Sequence, residues 1–336
     1  MKREPKEPVM TDTSSGDGDD TPDGTSPSDD GFEYPRDPSD IRDPDARGSD
    51  DVNGPRDPTD PRDPTDPRDP DDHGSIDGDS DETPLVAIAT AVGLGVLGPL
   101  IAFVGGVGVF VVDMVFDLGL VASLLLTLFV GQYVAFAGLA VGYLAWRGFD
   151  RSGIVSYLGV RRPSLTDLGV VVVGWVVIIT SVIGISVVIQ LIGVDTAANQ
   201  SAELALENPA IVPIFIAASF LVIGPCEEIL YRGVVQGRLR ESLPAAPSIV
   251  IASAVFAAIH VMALTGGISG RLTTVAVLFF PSLVFGAVYE YTENIVVPSL
   301  LHGLHNAVIF TLLYVTVTYG DELDELAAAG TMLFPL

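Results

Sequence analysis

The sequence predicts an all-α fold, a polytopic transmembrane helix bundle preceded by a long acidic tail, and three observations carry that reading. Hydrophobic residues fill 48% of the 336 positions and the mean hydropathy is +0.46, yet the formal net charge is -26. The two properties occupy different stretches, because residues 1–82 hold 27 Asp/Glu and 9 Lys/Arg, leaving 16 acids and 8 bases for the other 254 positions. From Leu85 onward the chain supplies one apolar stretch after another, each close to the ~20 residues a helix needs to cross a hydrocarbon core. A backbone in lipid must satisfy its own hydrogen bonds, so such stretches are read as helices.

Asp, Pro, Gly, Ser and Thr dominate residues 1–82, and the run from Arg56 to Asp72 repeats an Arg-Asp-Pro-Thr-Asp-Pro unit. Low hydrophobicity with frequent proline cannot offset the entropy of ordering, which predicts a disordered tail. The repeat is far shorter than a solenoid unit, so no folded array is implied. Its negative charge repels both nucleic acid and anionic lipid, and no nucleic-acid partner is expected. Cys226 is the sole cysteine, which leaves no intrachain disulfide. No apolar stretch precedes Pro84, so a secretory signal is not expected and the tail is expected to be retained.

Seven spans are read, at about 85–112, 119–146, 168–193, 210–235, 247–265, 273–290 and 295–318, and six to eight fit the same pattern. The chain therefore divides into the tail 1–82, N-terminal transmembrane helices 83–204, a second membrane region 205–318 and a short C-terminal tail 319–336. Gly93, Gly95, Gly98-Pro99 and Gly105-Gly106 mark the first span for a kink or for close packing, and a re-entrant segment has the same signature. Arg147, Arg151, Arg161 and Arg162 cluster between the second and third spans. The positive-inside bias makes that connection cytoplasmic, and with it the N-terminal tail and the Arg238/Arg240 end of the fourth span.

Ionisable groups at membrane depth cost about 2.5–3.5 kcal/mol even on the lenient insertion scale, so they mark function. Here they are few: Glu227, Glu228 and Arg232 on the fourth span, His260 on the fifth, and His302, His305 and Asn306 on the seventh. Glu228 and Arg232 are four apart and can pair along one face, which leaves Glu227, about 100° away, for another partner. Phe256 shares a face with His260, as His302 does with Asn306. A carboxylate and imidazoles converging in a water-accessible, apolar-walled cavity suit activation of water for peptide hydrolysis. His and Asn donors suit the oxyanion. The same set, Glu227, His260 and His302, could instead hold Zn²⁺, and spacing alone leaves both routes open.

The string from Glu227 through Arg232 to Gly233 resembles the EExxxR motif of the CPBP family, the CAAX proteases and bacteriocin-processing membrane proteins also called Abi. Phe256 to His260 is similar to its FxxxH motif, and His302 to Asn306 to its HxxxN motif, in the family's order and each on its own span. The resemblance covers roughly residues 205–318. It implies a multi-pass intramembrane endopeptidase of the cell membrane, acting on a membrane-associated and in some members prenylated CAAX protein. It further implies that Glu227 and His260 activate water, that His302 and Asn306 stabilise the oxyanion, and that Glu228, Arg232 and Phe256 support the site. The family carries the label metalloprotease, but its motifs suit a metal-free route equally. Two other classes compete: a non-catalytic immunity or assembly factor that keeps these residues as a structural lock, and a transporter, which usually breaks helices in both halves of the chain.

Overall fold

The computed structural model describes residues 83–333, with side chains as far as Glu322; the tail 1–82, expected to be disordered, lies outside the described residues. Among the described residues the fold is all-helical, the single extended contact being an isolated bridge between Asn199 and Leu264. Seven helices are long and apolar enough to cross a membrane. They are α1 (Pro84–Phe116), α2 (Leu120–Trp146), α4 (Leu165–Ile192), α6 (Pro209–Arg240), α7 (Ala245–Ala263), α8 (Ile268–Thr292) and the membrane part of α9 (Val296–Leu333). Two short helices, α3 (Arg151–Tyr157) and α5 (Gln200–Glu207), lie in the connections. The expected spans and observed helices agree to within a few residues. α9 runs on into the stretch 319–336 as far as Leu333.

Local sequence sets the ends. Ser164 and Asp167 form a reciprocal capping box at the start of α4, and Gly193 closes it in the left-handed region. The Asp113 carboxylate accepts from Leu118 N–H at 3.0 Å and Ser123 O–H at 2.8 Å, which fixes the tight turn between α1 and α2. At the arginine-bearing end, Arg161 donates to the carbonyls of Thr292 and Glu293 that terminate α8. Gly159 sits at φ +64° with its Cα against the Glu293 carbonyl; a Cβ there would fall 2.0 Å from that oxygen, so only glycine fits. Glu241 gathers Arg147, Arg238 and the Tyr157 hydroxyl. Burial, with Glu241 beside it, pushes the Tyr157 phenol well up. These contacts place the two arginine-bearing connections and the α8–α9 turn at one end of the bundle, as seven alternating passes require.

The core centres on α6, of which 39% is buried against 11% for α4. Prolines explain how it is held. Pro99 lies inside α1 and supplies no N–H for the Gly95 carbonyl four residues back. Tyr231 of α6 replaces that donor, its hydroxyl 2.9 Å from Gly95 O. In the same way Pro225 orphans the Leu221 carbonyl, and Tyr133 of α2 donates to it at 3.0 Å. The glycine-proline signature of the first span therefore produces close packing within one continuous helix, not a break. Tyr231→Phe is expected to lower stability by about 1–2 kcal/mol, read as an earlier unfolding midpoint in detergent; an unchanged midpoint would show the carbonyl satisfied otherwise.

α6 and α9 approach closely where both carry glycine. A Cβ on Gly224 would lie 2.8 Å from Ser299 O, and one on Gly303 2.8 Å from the Phe220 ring. Small residues let the two backbones touch, which brings the carboxylates of α6 against the imidazole of α9.

Candidate active site

The polar cluster stands at the middle of α6, where helix geometry is irregular. Residues 224–228 form a short α-helical stretch between π-helical turns at 219–223 and 229–236. Such turns recur at functional sites because they rotate the side chains that follow. Glu227 is 8% exposed, whereas Glu228 and Arg232 are fully buried.

Glu228 and Arg232 pair as their spacing predicts, with Nε to Oε2 at 3.1 Å. The other guanidinium nitrogens donate to Ser253 of α7 at 3.3 Å and Ser282 of α8 at 2.8 Å. The remaining Glu228 oxygen receives His302 Nδ1 at 2.9 Å. A carboxylate only accepts, so Nδ1 carries the proton and Nε2 points onward, 3.9 Å from Glu227 Oε2. Phe285 stacks on the His302 ring at 4.8 Å and 16°. Phe256 meets Tyr231, His260 and His302 by its ring, with the Arg232 guanidinium 5.2 Å from its centre.

His260 ends α7, its Nδ1 2.7 Å from the Phe256 carbonyl. That oxygen cannot donate, so Nδ1–H points to it and Nε2 faces away from it. His260 Nε2 has no partner among the described residues, nor does half-buried Asn306. Through Phe256 the rings of His260 and His302 join one cluster. Three motifs from α6, α7 and α9 are thus brought together. Half of the groups, Glu228, Arg232 and His302 Nδ1, are locked by partners; Glu227 Oε2, His260 Nε2 and Asn306 are not. His305 is buried on the same helix with its Nδ1 unpartnered.

Sequence reasoning missed four contributors. Gln132 of α2 donates from Nε2 to Glu227 Oε1 at 3.0 Å; it is the one amide in that apolar span, a signal that could have been used. Ser253, Ser282 and Phe285 carry no such signal, since hydroxyls and aromatics are ordinary in membrane helices. Among the described residues no three His, Cys, Asp or Glu side chains form a metal-holding group. His302 Nδ1 on Glu228 is a contact that a metal-binding imidazole also makes, so it is the lack of a third ligand beside Glu227 and His302 among the described residues that does not fit a preformed zinc set. An open groove of about 850 Å³ runs between α4 and α8 past Gly169, Val173, Val284 and Ala287, and contains none of the motif residues.

A comparison with protein families bears on the stretch that carries the motifs. Residues 209–308 match the family Type II CAAX prenyl endopeptidase Rce1-like. The match agrees with the CPBP resemblance drawn from the three motifs. The Rce1-like region contains every motif residue from Glu227 to Asn306, while Gln132 lies outside it. No curated protein and no solved structure matches the chain. Seven apolar helices and an Rce1-like region together indicate a multi-pass membrane protein and support a CAAX-type intramembrane protease.

Proposed function

We propose that the chain is an intramembrane endopeptidase that hydrolyses a peptide bond of a membrane-associated, CAAX-like lipidated protein, using water activated by Glu227. The observation that carries this reading is the division of the cluster into a locked half and a free half around one carboxylate. A structural clamp has no need for His260 Nε2 and Asn306 to remain unpartnered, or for Glu227 Oε2 to meet nothing nearer than His302 Nε2 at 3.9 Å.

In the proposed reaction Glu227 removes a proton from water as the oxygen bonds to the scissile carbonyl carbon, with His260 Nε2 accepting a hydrogen bond from the same water. The carbonyl π electrons move to oxygen, and His302 Nε2–H and the Asn306 amide donate to that oxyanion. Charge balance favours the donor form of His302: two buried carboxylates are matched by Arg232 and an imidazolium, with no charge left over. Collapse of the intermediate breaks the C–N bond, and Glu227 passes its proton to the leaving nitrogen. The basic end, with Arg147, Arg161 and Arg162, faces the cytoplasm on this reading, and so does the tail.

Purified protein in vesicles, given a peptide library tethered by a C-terminal lipidated cysteine, is expected to generate new C-termini that mass spectrometry identifies. Glu227→Ala is expected to generate none. Equal cleavage by the two proteins would sink the proposal.

A further inference from the structure

We infer that Gln132 of α2 is a positioning residue for Glu227, selecting which carboxylate oxygen acts as base. The inference rests on the endopeptidase reading and extends it to a helix outside the family match. Four observations converge on it.

Arg232 spends its donors on Glu228, Ser253 and Ser282, so Glu227 meets no guanidinium and has only the His302 imidazole, 3.9 Å away, as a charged neighbour. Its hydrogen-bond donor is instead Gln132 Nε2, 3.0 Å from Oε1. That contact ties up one oxygen and leaves Oε2 on the side of His302, 3.9 Å from Nε2. An ionised carboxylate only accepts, so the amide must present its NH2 to Glu227 and turn its carbonyl away. That carbonyl, Gln132 Oε1, is buried and has no partner. A buried acceptor without a donor is rare in a settled core, and here it is the cost of presenting the NH2 to Glu227.

The local backbone fits the same role. Gln132 lies in a π-helical stretch of α2, Phe129–Gly138, and packs on α6 beside the stretch that carries Glu227. A wider turn at this point turns the amide inward from a helix whose other faces are apolar. A residue serving only to pack would be met by Leu or Met in such a span, without an orphaned oxygen.

The test uses the full chain in vesicles and the near-isosteric Gln132→Met, with Gln132→Leu as a second variant should the first fold poorly. Both variants are expected to lower kcat about 10²-fold per folded molecule while KM stays near the parent value. Infrared spectra of protein carrying labelled glutamate, with the Glu227 band assigned by subtracting Glu227→Gln, are expected to show that band displaced in Gln132→Met. A retained kcat, a change confined to KM, or an unmoved Glu227 band overturns the inference. A parent protein inert toward every tethered peptide sinks the endopeptidase reading instead, and the infrared comparison still decides the Gln132–Glu227 contact.

Discussion

Arg232→Ala is expected to destabilise the bundle by about 3–5 kcal/mol, the cost of leaving a buried charge without its partner. Arg232 is fully buried and holds three helices: α6 through Glu228, α7 through Ser253 and α8 through Ser282. Removing it strands the Glu228 carboxylate at 0% exposure with His302 alone. Arg232→Lys is expected to recover little, because a point charge on a flexible stem cannot serve two hydroxyls and a carboxylate along a fixed fork. The double change Glu228→Gln with Arg232→Met is expected to recover much of the loss, since no unpaired charge remains. Unfolding midpoints of the purified proteins in detergent check the series. A single Arg232→Ala variant as stable as the parent would mean that the ion pair is not what ties these helices together.

That lock was readable in the sequence only along one helix. The four-residue spacing of Glu228 and Arg232 fixes their pairing because an α-helix sets it locally. The partners Ser253 and Ser282 lie on other helices, and which helix faces which is decided by packing that no spacing encodes. The spans were legible because apolar runs of membrane length have few other readings. The glycines and Pro99 of α1 announced an irregularity but not its resolution, which depends on a tyrosine hydroxyl 132 positions downstream, at Tyr231, reaching the freed carbonyl. For the candidate site, the three motifs fall on α6, α7 and α9. They could not reveal Gln132, because the inward turn of an amide depends on π-helical geometry that is a property of the folded helix. Nor did they predict that His302 would be fixed through Glu228 while only its far nitrogen faces Glu227.

That last arrangement separates two effects that a truncation would mix. His302 stacks on Phe285 at 4.8 Å and meets Phe256 edge-on at 5.9 Å, so a phenyl ring preserves both contacts. His302→Phe removes only the two nitrogens. Loss of the hydrogen bond to a charged Glu228 is worth about 1.5–3 kcal/mol of stability, less than the loss of Arg232. Loss of the oxyanion donor is expected to lower kcat by about 10²–10³-fold. His302→Ala is expected to lose the same activity and, in addition, the stacking that fills the space between Phe285 and Phe256, so its unfolding midpoint should fall below that of His302→Phe. Activity and stability then part company: the two variants agree in rate and differ in midpoint. If His302→Phe instead cleaves a tethered peptide at the parent rate, the imidazole is only packing, and the donor assigned to the oxyanion must come from elsewhere in the cluster.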